Sequence, residues 1–302
     1  MLKLIAANII RAIPDKASGR SMIDFETVRE VKEVLLEVEE RTIHLSIYYP
    51  LLSINEPLPA YINLHGGAFI MNNKDMDDPY CRYLANHART VVVNVNYSKA
   101  PETPFPGALE ECYQVMQWLR RNGSALGIDT RKIAVGGQSS GGNLAAALCL
   151  LLKKRREKQP LLQVLSVPML DFVTPHADKP EPDPLRAKYP QAAGFLNACY
   201  VPTIEQASNP LASPVLAADV SGLAPALIVA GENDAFRPEI ERYSDKLKRA
   251  KVQVRYELFK DCSHTFMNTG PKKEATAAWN IIAAELHRGF YPSSFFKTHR
   301  PS

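Results

Sequence analysis

Short apolar, β-branched runs recur along this chain, and helix-like patterns separate several of them. The runs are "AYINL" (60–64), "TVVVNV" (90–95), "KIAV" (132–135), "LLQVLSV" (161–167), "ALIVAG" (226–231) and "VQVRYELF" (252–259). Helical periodicity marks 79–89, 107–121, 141–156 and 238–250, and in 107–121 Leu109, Cys112, Met116 and Leu119 share one face. Strands alternating with helices predict an α/β fold, a mostly parallel central sheet flanked by helices on both sides. Ahead of them, "VKEVLLEV" and "RTIHLSIYY" read as a hairpin in which Ile43, Leu45, Ile47 and Tyr49 point inward. With 302 residues and 46% hydrophobic content the chain can bury a large core, and one domain over 1–302 is expected.

One interval breaks the rhythm. Pro168 to Ala224 is far longer than the dozen or so residues a crossover needs. The stretch 168–214 holds nine prolines with Phe172, Tyr189, Phe195 and Tyr200 among them. Long structureless loops are uncommon inside compact domains, so an inserted lid or part of a substrate pocket is expected.

Charge and cysteines exclude several functions. The 36 basic and 32 acidic residues leave a net charge of only +4, which does not suggest a nucleic-acid surface. The basic run Lys153-Lys154-Arg155-Arg156 reads as the exposed end of a helix. The five cysteines have no CxxC spacing and an odd count, which predicts neither a disulfide framework nor a zinc site. Cys112 and Cys149 read as buried thiols. "MLKLIAANIIRAIPDK" is short and broken by Lys3 and Arg11, so it predicts an amphipathic helix with Leu2, Ile5, Ile9 and Ile13 on one stripe, not a membrane anchor. No later stretch reaches 18 apolar residues; no membrane insertion and a soluble, cytoplasmic protein are the expectation.

The glycines of "AVGGQSSGGN" (134–143) need a reason. A phosphate-binding P-loop requires a lysine that this loop lacks, and the spacing of a dinucleotide fingerprint fails. Gly137-Gln138-Ser139-Ser140-Gly141 does fit Gly-x-Ser-x-Gly, the sharp strand-to-helix turn that exposes a serine. Its place after a strand and before a helix is the context the motif requires.

A serine hydroxyl needs a base, and the base needs an orienting acid. Downstream, "ALIVAG" ends in Gly231-Glu232-Asn233-Asp234, and "VQVRYELF" is followed by Lys260-Asp261-Cys262-Ser263-His264. Of the edge-loop histidines His65, His176 and His264, only His264 follows a strand in the order serine, acid, histidine. Asp234 is the favoured acid, with Glu232 and Asp261 as rivals and Glu239 more distant. Donors for a developing oxyanion are offered by His65-Gly66-Gly67-Ala68-Phe69, directly after an early strand.

Together "HGGAF", "NYSKAPETPFPGALEE", "GGQSSGGNLA", "NPLASPV", "LAPALIVAGENDAFRPE" and "CSHTF" resemble the bacterial hormone-sensitive-lipase-like carboxylesterases, a branch of the α/β-hydrolases. The resemblance covers about 60–290. It implies Ser139 as nucleophile, His264 as base and Asp234 as its partner. It also implies oxyanion donors from the N–H groups of Gly67, Ala68 and Ser140, with His65 and Gly66 shaping the loop. A small helical cap would come from about 1–35 and 172–210, and a homodimer is possible in such a family. Three positions depart from the family pattern: Ala68 replaces a third glycine, Gln138 stands where an acid is common, and Lys99 replaces an arginine that would brace the oxyanion loop.

The expected activity is hydrolysis of short acyl esters, with a small-molecule ester as partner and no metal or organic cofactor. An amidase or peptidase would use the same residues, and a non-catalytic small-molecule receptor on this fold would tend to lose a triad member. In the insertion, Asp178, Lys179, Glu181, Asp183, Arg186 and Lys188 predict a partly polar roof, with Phe195 and Tyr200 as apolar wall.

Overall fold

A computed structural model describes residues 2–12, 21–38, 41–52, 56–71 and 73–292. Ile13 of the N-terminal stripe, Met1 and residues 13–20 of the expected cap and the chain end from 293 lie outside the described residues, as do the side chains of Leu2 and Arg186. The strands are β1 (Glu30–Val38), β2 (Arg41–Tyr49), β3 (Leu58–Leu64), β4 (Val91–Asn96), β5 (Ile128–Gln138), β6 (Gln163–Ser166), β7 (Ala226–Asn233) and β8 (Val254–Ser263). They form one sheet in the order β1-β2-β4-β3-β5-β6-β7-β8. Only β2 runs antiparallel to its neighbours, so from β4 to β8 the sheet is parallel.

The helices are α1 (Leu2–Ala12), α2 (Asp78–Ala88), α3 (Gly107–Asn122), α4 (Ser140–Lys154), α5 (Pro184–Lys188), α6 (Pro190–Tyr200), α7 (Ile204–Ala207), α8 (Arg237–Arg249), α9 (Phe266–Thr269) and α10 (Lys272–Phe290). Strand side chains alternate between two cores. Ile62, Val93, Val135 and Ile228 face the core shared with α3, α4 and α8, while Tyr61, Val92, Ala134 and Leu227 face the one under α2 and α10. This double cover explains why Ser46 and Tyr48, on the supposed outer face of β2, are buried too. Helix α10 was not expected from the strand-helix rhythm, yet Trp279, Ile282, Ala283 and Leu286 give it an inward stripe, and Trp279 stacks on Tyr80 at 4.3 Å. Among the described residues, no helix is long and apolar enough to cross a membrane.

The interval 168–224 is a structured insertion that carries α5, α6, α7 and two short 3₁₀ turns. One expectation needs correcting. The expected stripe on α1 is turned around: Ile5 and Ile9 are 51% and 61% exposed, whereas Ala7 is fully buried. The helix is oriented by the face that carries Lys3, Ala7 and Arg11, because the Lys3 Nζ donates to the Ala198 carbonyl, Ala7 is buried between the two, and Arg11 Nε donates to the Ile70 carbonyl.

A buried polar file supports the C-terminal edge of β3 and β4. Asn63 Nδ2 donates to Asp77 Oδ2 at 2.8 Å and to Asn94 Oδ1 at 3.0 Å. Burial raises the Asp77 carboxyl from 3.8 to about 6, with the Asn63 bond acting in the opposite direction. A carboxyl raised in the fold contributes stability at low pH that is lost as pH rises through about 6. Asp77→Asn keeps an acceptor for Asn63 and removes the buried charge. It is therefore expected to stabilise the protein at pH 8 by about 1–3 kcal/mol, or several degrees in melting temperature, with the gain vanishing near pH 4. Thermal melts of both proteins across that range provide the check; a gain that does not depend on pH would refute the assignment.

Candidate active site

Ser139 occupies the junction where β5 ends and α4 begins, with φ 53° and ψ −113°. This left-handed conformation is costly for a residue with a side chain, and it is held from both sides. Ser139 N donates to the Ser166 carbonyl at 2.9 Å, and its own carbonyl accepts from Asn143 N at 3.0 Å. The flanking glycines are explained by contact. A Cβ on Gly137 would lie 2.1 Å from the Leu64 carbonyl oxygen, and one on Gly141 only 1.8 Å from the same atom. The turn is pressed against the end of β3, where the His65 loop starts.

The acid and the base leave the sheet side by side. Strands β7 and β8 run further than their apolar runs suggested, and Asn233 pairs with Ser263 in the last rung. Asp234 and His264 are the next residue on each strand. His264 Nδ1–H donates to Asp234 Oδ2 at 2.9 Å, and His264 Nε2 lies 2.9 Å from Ser139 Oγ, so the ring is the tautomer that can accept the serine proton. Asp234 is buried and its Oδ1 accepts from Phe236 N at 2.9 Å. The Phe236 ring packs edge-on against His264 at 4.9 Å.

None of the rival acids touches His264. Between Gly231 and Asn233 the register of β8 slips, and the extra residues bulge out with Asp261 at φ 58°. Glu232 accepts the Asp261 N–H at 2.9 Å and so holds this bulge. Glu239 is buried on α8, paired with Lys179 of the insertion at 2.5 Å and accepting from Leu170 N at 2.6 Å. His176 bonds Glu181 at 3.1 Å instead of the serine.

The loop 65–71 crosses the serine turn closely. A carbon built on Gly66 would be 3.7 Å from Ser139 Cβ. Ala68 and Phe69 have φ of 51° and 64°, left-handed positions where the departure from glycine at 68 carries a strain of about 1–2 kcal/mol. Its peptide planes are fixed by their oxygens. Gly66 O is bonded by His65 Nδ1 at 2.7 Å, and Gly67 O accepts from Ile70 N and Met71 N at 3.0 and 2.8 Å. In a planar trans peptide the N–H points opposite to the carbonyl, so these bonds fix the directions of Gly67 N–H and Ala68 N–H. Neither of these two donates to a backbone carbonyl. Ser140 N–H opens α4, where no helical acceptor exists.

His65 is fixed in turn. Its ring stacks on Tyr97 at 4.3 Å, and the Tyr97 hydroxyl donates to its carbonyl at 2.7 Å. Burial, then the charge of Lys99, pulls His65 down to about 3, so the imidazole stays neutral. Its Nε2 can therefore accept from Lys99 Nζ, 3.1 Å away. Lys99 also donates to Asn96 Oδ1 and the Tyr97 carbonyl, and burial lowers it to about 8. The position that lacks an arginine thus still braces the loop. Sequence reasoning marked Lys99 as a lost brace and missed this contact, because it depends on a buried, neutral His65 thirty-four residues away.

The insertion departs from expectation in two ways. Tyr200 is not a wall: it is fully buried, stacked on Phe69 at 3.5 Å with Phe172 beside both. Lys179, counted among the roof's charges, is buried against Glu239, while Asp178, Asp183 and Lys188 are exposed. Phe195 is half-buried against the core.

The family model described as an alpha/beta hydrolase fold matches residues 61–268. An AB hydrolase superfamily protein of Schizosaccharomyces pombe is 33% identical over 217 residues, covering 69% of this chain and 63% of that one. An arylesterase of Saccharolobus solfataricus is 32% identical over 236 residues, covering 75% and 74%. Among solved structures, a hyperthermophilic esterase from Pyrobaculum calidifontis superposes with a TM-score of 0.80 at 31% identity, covering 95% of this chain and 90% of that one. With the matched model spanning its serine turn, its acid and its histidine, the chain belongs to the α/β hydrolase fold family, in the hormone-sensitive-lipase-like carboxylesterase branch.

Proposed function

We propose that this protein is a serine carboxylesterase that hydrolyses short-chain acyl esters through an acyl-enzyme. The observation that carries the reading is the unbroken line from Ser139 Oγ through His264 to Asp234, with both hydrogen bonds at 2.9 Å. Ser139 Oγ attacks the ester carbonyl as its proton passes to His264 Nε2, and Asp234 stabilises the resulting imidazolium. The N–H groups of Gly67, Ala68 and Ser140 receive the oxyanion, each being worth roughly 3 kcal/mol of barrier. Collapse expels the alcohol, which takes the proton back from His264. Water then attacks the acyl group, giving its proton to the same nitrogen, and His264 returns that proton to Ser139 Oγ as the carboxylic acid departs.

Helix α1 and the insertion form the cap in this reading. Phe172 and Tyr200 of the insertion pack on Phe69, which tightens the roof over the oxyanion loop and supports a small acyl site. Each methylene adds roughly 0.8 kcal/mol only while it finds apolar surface to bury. With a panel of p-nitrophenyl esters, kcat/KM is expected to peak from acetyl to hexanoyl, drop beyond octanoyl and show no jump as substrate forms micelles. Preference for palmitoyl over butyryl would refute the short-chain assignment. Turnover of anilides but of no ester in the panel would refute the esterase itself.

A further inference from the structure

Arg11 sits near the end of α1, on an element separate from the sheet that carries Ser139, Asp234 and His264, yet its guanidinium is fully spent, largely on the oxyanion loop and the segment beside it. Its Nε donates to the Ile70 carbonyl at 2.9 Å, and Nη2 donates to the Ala100 carbonyl at 2.8 Å. Nη1 and Nη2 form a fork on the two Glu102 carboxylate oxygens at 2.6 and 2.8 Å, and Nη1 also donates to Asn8 Oδ1 at 3.0 Å. That engages every N–H the group has.

The targets are not a random patch. Ile70 is the residue whose N–H holds the Gly67 carbonyl, and so fixes the Ala68 N–H. Ala100 N donates to the Phe69 carbonyl at 2.9 Å, so Arg11 closes the seam between the oxyanion loop and the segment that carries Tyr97 and Lys99. Those two residues hold His65 and, through it, the Gly66 carbonyl. At its other end α1 is tied to the insertion by Lys3 on Ala198 O at 2.8 Å.

We propose that Arg11 is a positioning residue for the oxyanion loop, so that docking of α1 sets the aim of the Gly67 and Ala68 N–H groups. The inference rests on the esterase reading given above. Donors that act on charge developing in the transition state change kcat and leave ground-state binding nearly intact. A lysine offers a point charge for Glu102 but no planar fork for two carbonyls as well, so it restores only part of the function.

The test compares wild type, Arg11→Met and Arg11→Lys on p-nitrophenyl butyrate. Active sites are counted by titration with diethyl p-nitrophenyl phosphate, which normalises for misfolded protein. For Arg11→Met, kcat per titrated site is expected to fall about 10-fold with KM within about twofold, and affinity for an aryl trifluoromethyl ketone, whose hemiketal adduct with Ser139 needs the same donors, to weaken by a similar factor. Arg11→Lys is expected to lie between, and millimolar guanidinium to restore part of the Arg11→Met loss. Unchanged kcat per site in either variant, a rise confined to KM, or a loss that merely follows the titrated fraction would overturn the proposal. Failure of wild type to turn over any ester would instead refute the esterase reading.

Discussion

Ser139→Ala is expected to lower ester turnover by on the order of 10⁵–10⁶ while leaving the melting temperature within a few degrees of wild type. The two halves of this expectation have separate causes. The hydroxyl is the only atom in the proposed line that can form the acyl bond, so its loss removes the covalent route and leaves only what the oxyanion donors contribute. Stability is spared because the backbone bonds that hold the turn, Ser139 N to Ser166 O and Asn143 N to Ser139 O, do not involve the side chain. Alanine adopts φ 53° at a cost similar to that of serine. Near-normal activity in this variant would sink the mechanism, and a collapsed melt would show that the turn depends on the hydroxyl.

Asp234→Asn is expected to cost roughly 10³–10⁴ in kcat with little change in KM. Asp234 Oδ1 is committed to the Phe236 N–H, so an asparagine placed there turns its oxygen to Phe236 and its amide nitrogen to His264. The donor then faces Nδ1, which must become the acceptor, and the proton moves to Nε2. That nitrogen points at Ser139 Oγ and can no longer accept from it. Glu232→Gln is the control: its oxygen can still accept from Asp261 N, so the bulge before His264 survives and activity stays within a few-fold. The reverse ranking, with Glu232→Gln crippled and Asp234→Asn mild, would transfer the acid's role.

Much of this site was legible because its chemistry lies at strand ends, and strand ends are marked by short-range composition. "KIAV" before Gly-x-Ser-x-Gly, "AYINL" before "HGGA" and "ALIVAG" before Asp234 each place a functional residue with no knowledge of the fold. What escaped depends on partners far apart in sequence. Lys179 looks like a surface charge until Glu239, sixty residues on, takes it into the interior. Strand β5 was expected to be four residues long and runs from Ile128 to Gln138, because Gly136 and Gly137 pair with β3 and β6 despite low strand propensity. The inward face of α1 was misread for a related reason. Its apolar spacing is genuine, but the fork of Arg11 and the amine of Lys3 decide which way it turns.

The rung that joins Asn233 to Ser263 divides the site into a stiff joint and a compliant one. Acid and base are each one peptide beyond a shared pair of adjacent strands, so a shift of β7 and β8 as a body carries both together and leaves their separation unchanged. The serine belongs to β5, and β6 and β7 intervene between it and the strand that bears the histidine. Small changes of twist across those strands accumulate only in the Ser139–His264 gap. Substitutions that fill or thin the layers around the short strand β6 can therefore adjust the distance over which the serine proton travels, while the pairing of histidine and aspartate is inherited intact.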